Sequence, residues 1–424
     1  MLGISVVCAF LSASPLDAQN ADSADDFVNS VGINVHLNYL DTPYANFERV
    51  FEALQQLGVR HVRDGLIDTV WQGYYDRHNQ LGRAGIRGVF ITSPAQSTEL
   101  LLDYPRRMKA SFEAYEAPNE SDQNSDANWA ATLTEFVTKL NQTVKSNPAT
   151  SRFRIIGPSL THQESFVKLR GICPFDYENL HNYFAGRNPG TAGWGADGYG
   201  SISWNLSNAR GACGDKPVIT TETGYQTNLS VSPGIPEEVA AKYVPRIFLE
   251  QWLHGIQRTY LYELIDLPSG GAAADRGYGL LRSDFSSKPA YLALRSLLRV
   301  LNDPGPAYSG GAFSFTLTGD LSQVHQALFE KRNGSFFLAL WVEASGYDVD
   351  RKQALSVPIH KVVLQTEGKV NVISHTLDKD GGTRTTPLGV SATHAIEVSD
   401  SVTLLEMETG GDYTHSRLAS KSGQ

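Results

Sequence analysis

Between residues 31 and 301 the apolar positions switch repeatedly between two periods. Short, nearly continuous apolar runs predict buried strands, and longer stretches with apolar residues three and four apart predict helices. The expected strands are 32–36, 59–63, 85–91, 111–115, 154–157, 177–183, 217–221 and 258–264. A helix over 46–57 puts Phe47, Val50, Phe51, Leu54 and Leu57 on one face and stops at Gly58. Another over 126–144 buries a stripe of Trp129, Leu133, Phe136, Val137 and Leu140. Further helices are expected near 201–209, 236–255 and 288–301. Strand and helix alternating in this way read as parallel α/β, and eight such units make a (β/α)8 TIM barrel.

After Asn302-Asp303-Pro304-Gly305-Pro306 the texture changes. Short strand-like runs separated by turn residues predict a C-terminal β-sandwich. The resulting division is a secretory signal over 1–18, a barrel over 19–304, the sandwich over 305–410 and a disordered tail over 411–424. The signal rests on an apolar run over 2–11 and small residues before Ala18-Gln19, a pattern of export to the cell exterior or periplasm. A disordered apolar tail is the alternative. Val7 before Cys8 is too bulky for a lipid-attachment site.

A chain of 424 residues has room for a large barrel and an appendage. The net charge of −9 argues against nucleic acid and anionic membrane surfaces as partners. Beyond the N-terminus no apolar stretch is long enough to span a bilayer. No Cys/His cluster has zinc spacing, so no metal is expected. Cys173 and Cys213 either pair across the segment between strands six and seven or remain free thiols. The pattern sets no oligomeric state.

Two segments carry the chemistry: Glu116-Ala117-Pro118-Asn119-Glu120 after strand four, and Thr220-Thr221-Glu222-Thr223-Gly224-Tyr225 ending strand seven. A carboxylate at the C-terminal end of a barrel strand packs badly and catalyses well. Two of them suit cleavage of a sugar acetal by double displacement, in which one attacks the anomeric carbon and the other serves as acid and then base. Glu222 is read as the nucleophile, with Arg63 at the tip of strand two as its cation and Tyr183 at the tip of strand six as a hydroxyl donor. Glu120 is read as the acid/base. Asn119 beside it offers an amide to a sugar hydroxyl. Glu113 and Glu116 compete for the acid role, but Glu116 lies deeper in the strand and reads as a structural partner. No cofactor is needed.

These residues resemble glycoside hydrolase clan A, the retaining (β/α)8-barrel glycosidases, with a texture nearest to families 39 and 5. There an Asn precedes the strand-four acid/base and the nucleophile ends strand seven. Arg63 corresponds to the clan's strand-two arginine. His181-Asn182-Tyr183 matches its strand-six His-x-Tyr, and Tyr278-Gly279-Leu280 with Lys288-Pro289-Ala290-Tyr291 resembles its passage into the last helix. The resemblance covers about residues 31–301. It implies a carbohydrate substrate and hydrolysis. Where many members carry Trp at the end of strand eight, this chain has Tyr260-Leu261-Tyr262-Glu263-Leu264-Ile265-Asp266, so Tyr262 is the expected aromatic platform. Pro118 stands where many members have Trp.

Sugar contacts are also expected from His36 and Asn38 at the tip of strand one, and from His181. Trp71, Tyr74, Tyr75, Trp194, Trp204 and Tyr225 are read as loop aromatics able to stack on sugar faces. Asp22, Asp25 and Asp26 read as a solvated stretch. The competing functions are a carbohydrate-binding protein without activity and a transglycosylase using the same two glutamates.

Overall fold

A computed structural model describes residues 17–123, 126–267 and 277–409. Most of the expected signal segment, with Cys8, and the expected tail over 411–424 lie outside the described residues. Eight parallel strands form the first sheet: Val31–Asn34, His61–Gly65, Arg87–Ile91, Phe112–Glu116, Arg154–Ile156, Glu178–His181, Val218–Thr223 and Arg258–Leu261. They follow the chain order, with strand one also pairing strand eight. A parallel bridge from Ile156 to Tyr177 joins strands five and six, closing the barrel.

Side chains fill the interior in layers, as closure of a parallel barrel demands. Near the entry ends of the strands, Glu113 bonds His61 at 2.8 Å and Arg258 at 2.9 Å. Burial alone would raise its pKa, but His61 and Arg258 outweigh that and bring it down to about 2. This ties Glu113 into the barrel floor, away from the acid role. Above it, Val89, Ala114, Ile156, Ile219 and Tyr260 form an apolar plug. The Tyr260 ring comes within 2.4 Å of where a Cβ on Gly32 would sit, so strand one needs glycine there. The top layer is polar and belongs to the site described below.

The helices wrap this barrel much as their periodicity predicts. Phe47–Leu57 buries Phe47, Val50, Ala53, Leu54 and Leu57, and Gly58 closes it in the left-handed conformation at φ 84°. Trp129–Ser146 buries the expected stripe. A helix over Thr98–Arg107, which the apolar pattern does not announce, carries Pro105 inside it.

The second sheet is mixed, and its two parts enclose one buried cluster as a sandwich. Strand His360–Leu377 pairs Ala312–Gly319 through its first half and Thr403–Thr409 through its second, and on its other edge pairs Thr383–Val398 with a register shift between Gln365 and Val370. Phe313, Phe315, Val362, Leu364, Ile396 and Val398 from one layer thereby meet Phe336, Leu338, Leu340, Val372, Leu405 and Met407 from the other. The opposite faces of the second layer, including Phe329, Phe337, Trp341 and Leu404, join the barrel's own core. Strand Phe336–Val342 is consequently buried on both faces.

The N-terminal segment departs from the expected division. Asp17–Asn20 pairs antiparallel with Ala312–Gly319, and Asp22–Ser23 pairs parallel with Val324–Glu330. Residues 17–23 therefore belong to the second sheet, and the expected cleavage after Ala18 would fall inside a strand. The acidic stretch is not solvated as a whole. Asp25 is buried and pairs with Arg60 at 2.5 Å and Arg332 at 3.2 Å, and Asp22 accepts from Trp252 Nε1 at 2.7 Å.

Cys173 and Cys213 form a disulfide. Cys173 precedes strand six and Cys213 ends the helix Ile202–Cys213, so the bridge encloses strand six and its helix rather than only the connection after them. Among the described residues no helix is long and apolar enough to cross a membrane.

Candidate active site

Three strand ends converge on one guanidinium. Arg63 points inward from strand two and is buried. Its Nε and Nη2 donate to the two oxygens of Glu116 at 2.7 and 2.8 Å, a fork-on-carboxylate pair. Nη1 donates to Asn34 Oδ1 at 2.8 Å and to Glu222 Oε1 at 2.6 Å, and Nη2 also donates to Asn119 Oδ1 at 2.6 Å. Burial would favour loss of the proton, but Glu116 and Glu222 overcome it and hold the group charged. Glu116 is thus the structural partner expected. It also accepts from Asn179 Nδ2 at 3.1 Å, and Thr221 Oγ1 lies equally close.

Glu222 ends strand seven, half-buried. Its Oε1 faces Arg63, and its Oε2 accepts from the Tyr183 hydroxyl at 2.8 Å, with His181 Nδ1 at 3.7 Å. Burial would raise its pKa, but His181, Arg63 and the Tyr183 hydrogen bond lower it below the usual carboxylate value. Tyr183 itself is pushed well above the ordinary tyrosine range by burial and by Glu222, so it stays a donor.

Glu120 sits on the turn after strand four, with φ of 44°. Few residues other than glycine hold that conformation, and here the backbone is pinned by Glu120 N–H donating to Ser159 O at 3.1 Å. Its Oε1 lies 2.7 Å from His181 Nδ1, and its Oε2 accepts from Gln123 Nε2. Strand six alternates, so His181 and Tyr183 face the pair while Asn182 turns outward to Thr220 at 3.1 Å.

The tautomer of His181 follows from its other neighbours. Thr221 Oγ1 lies 2.8 Å from Asn179 Oδ1, which can only accept the threonine proton. Glu116 Oε1, at 3.1 Å, likewise only accepts, so whichever of the two takes that proton, the threonine oxygen, 3.1 Å from His181 Nε2, accepts from that nitrogen. Nδ1 then shares one further proton with Glu120. Ligand atoms of Glu120, His181 and Glu222 all lie within 4.8 Å of one another, which would suit a divalent cation by spacing. Both oxygens of Glu222 are already engaged, one by a guanidinium, and that charge opposes a metal at this point.

The rim is aromatic. Tyr183 meets Tyr278 edge-on at 5.8 Å, Tyr278 meets Tyr262 at 5.7 Å, and Tyr262 meets His36 at 5.7 Å. His36 stacks on Tyr39 at 4.6 Å and lies 3.2 Å from a Glu263 oxygen. Glu263 is fully buried, and burial raises its pKa against the pull of His36. Among the described residues no hydrogen bond links Asn38 to the glutamates. Tyr225 is not brought to the pair: it is buried against Phe184 and Tyr243, and its hydroxyl donates to Arg187 O at 2.6 Å. Tyr74 and Tyr75 are core residues of the helix Gln72–Arg83 rather than loop aromatics. Asn34, Asn179, Thr221, Ser159 and Gln123 complete the site. Each is a polar residue at an inward or loop position that no short pattern singles out.

No family model matches the chain, and no curated protein matches it. Solved structures do. A family 39 glycoside hydrolase from the gut symbiont Bacteroides cellulosilyticus WH2 aligns with a TM-score of 0.62 at 16% identity, covering 90% of this chain and 82% of that one. A GH39 enzyme from Xanthomonas axonopodis pv. citri aligns at 0.59 and 16% identity, covering 93% and 98%. A monomeric beta-xylosidase from Caulobacter crescentus CB15 aligns at 0.57 and 13% identity, covering 92% and 98%. At these identities the likeness establishes the fold, a barrel with its second sheet, and the first two structures are of family 39, one of the two families whose texture the sequence resembles.

Proposed function

We propose that this protein is a retaining glycoside hydrolase, with Glu222 as nucleophile and Glu120 as acid/base. One observation carries the reading: carboxylate oxygens of the two residues lie within 4.8 Å of each other across the barrel mouth. Retaining glycosidases set their carboxyls about 5–5.5 Å apart, whereas inverting ones need about 6.5–9.5 Å to admit water. The two environments also differ in the required sense. Glu222 faces a guanidinium and a hydroxyl donor, which favour a carboxylate. Glu120 instead meets the His181 imidazole at 2.7 Å and the Gln123 amide.

In the first step a Glu222 oxygen bonds the anomeric carbon while Glu120 passes its proton to the departing glycosidic oxygen. In the second, Glu120 takes a proton from water, the water oxygen bonds the same carbon, and Glu222 leaves as a carboxylate. Asn119, held by Arg63, is placed to meet the hydroxyl beside the reacting carbon. His36 and Tyr262 line the rim as sugar contacts, so the substrate is an oligosaccharide or polysaccharide. Neither step calls for a cofactor. The Cys173–Cys213 disulfide supports an oxidising, exported location.

The test is turnover of a panel of aryl glycosides and oligosaccharides by purified protein, with Glu222→Gln as control. Hydrolysis with retained configuration supports the reading. Binding without turnover on every member would leave a carbohydrate-binding protein, and transfer to a second sugar in place of water would make it a transglycosylase.

The hydrogen bond from Tyr183 gives a prediction about pH. Glu222 must be ionised to attack, so kcat/KM rises with pH through its pKa and forms the acidic limb of the profile. Tyr183→Phe removes a donor to the charged form, which raises that pKa and moves the acidic limb to higher pH. A hydrogen bond to a charged group is worth about 1.5–3 kcal/mol, so kcat/KM should fall at least about tenfold. An acidic limb that stays in place would detach it from Glu222.

A further inference from the structure

A cavity opens at the junction of the barrel and the β-sandwich, outside the glutamate pair. Its volume is about 730 Å³, within the ~300–1,000 Å³ of small-molecule sites. Trp204, Ser207 and Asn208 line it from the helix Ile202–Cys213. Glu250 and His254 line it from the end of the helix Glu237–Leu253, and His325 from the strand Val324–Glu330.

The carboxylate at its base is unusual. The Glu250 side chain is 1% exposed, and its Oε1 accepts from His325 Nδ1 at 2.6 Å and Trp341 Nε1 at 2.9 Å. Among the described residues no donor reaches its other oxygen. Neighbouring Glu343 differs. Its oxygens take Arg246 at 2.7 and 2.8 Å, Asn188 at 2.7 Å and Gly190 N–H at 2.8 Å, so it is a structural ion pair. Glu250, His325 and Glu343 have ligand atoms close enough for a metal, but Arg246 fills that place with a positive charge.

The remaining groups fit a ligand that both donates and accepts. His325 gives its Nδ1 proton to Glu250, leaving Nε2 for a ligand. His254 gives its Nδ1 proton to Glu250 O at 2.8 Å and likewise leaves Nε2. Ser207 adds a hydroxyl, Asn208 an amide and Trp204 a ring. A buried carboxylate repels phosphate and carboxylate ligands. Hydroxyls satisfy all these groups, and the C–H face of a sugar suits the indole. The wall over residues 189–192 belongs to the loop that follows strand six and carries Tyr183, which ties the cavity to the candidate active site.

We propose that this cavity is a non-catalytic saccharide-binding site that holds a part of the glycan not being cleaved. The inference rests on the carbohydrate reading above. It is tested by calorimetric titration of Glu222→Gln with xylohexaose, cellohexaose and laminarihexaose. Two binding events are expected with one of these probes. Adding Trp204→Ala or His325→Ala should weaken one event by at least about tenfold. Ser207→Tyr, at an exposed position, should do the same by filling the mouth without touching the core. With Glu222 intact, none of the three should change kcat/KM on an aryl monoglycoside by more than about twofold. A single binding event, or titrations unchanged in all three variants, overturns the site. Cleavage of aryl glycosides with only one binding event leaves the proposed function standing without the cavity. Binding lost on Trp204→Ala in a protein that cleaves nothing supports the cavity and removes the hydrolase.

Discussion

Glu222→Gln should abolish turnover, lowering kcat by roughly 10⁴-fold or more, the scale seen when a nucleophile acting in a unit with its partners is removed. The amide keeps the side chain's volume and an oxygen for Arg63, and Arg63 keeps its fork on Glu116 at 2.7 and 2.8 Å. The fold should therefore persist, as thermal unfolding can check. What disappears is the negative charge that bonds the anomeric carbon. In the unaltered protein a 2-fluoro glycoside with a good leaving group should trap the covalent intermediate. Peptide mass mapping should find it on Glu222. An adduct on Glu120, Glu116 or Glu263, or a Glu222→Gln variant that still turns over, would refute the assignment.

Much of this site was legible because barrel geometry converts sequence into position. A strand that ends in a glutamate puts that glutamate at the mouth, and alternation decides which neighbours point with it. Glu120, Glu222, Arg63, His181 and Tyr183 were singled out in this way, and the fold brings them together. The residues that were not found hold no special place in any local pattern. Thr221 orients His181 only because strands six and seven are adjacent, with His181 opposite Glu222 in register. Asn34 reaches Arg63 from another strand.

The errors have the same origin. Tyr225 follows the nucleophile closely and looked like a sugar platform, but Phe184 and Tyr243 close over it from distant parts of the chain. Asp17–Asn20 has too little apolar character to read as a strand, and only its pairing with Ala312–Gly319 makes it one. Asp25 looked solvated until Arg60 and Arg332, both remote in sequence, enclosed it.

Glu120→Ala separates the two steps that the proposed mechanism joins. Without the acid, the leaving group must depart as an anion, so the first step should slow by about 10²–10⁴-fold for natural glycosides. The loss should shrink sharply for aryl glycosides whose phenols leave readily, because they need little protonation. The second step would lack its base, and the covalent intermediate would accumulate. Azide, which attacks without base help, should then restore turnover and yield a glycosyl azide of retained configuration. Removing the carboxylate also takes away the partner of His181 Nδ1, 2.7 Å away. The basic limb of the pH profile, which reports loss of the acid's proton, should vanish with it. If azide gives no acceleration, or the loss is equal for good and poor leaving groups, Glu120 is a positioning residue and the acid must be sought elsewhere on the rim.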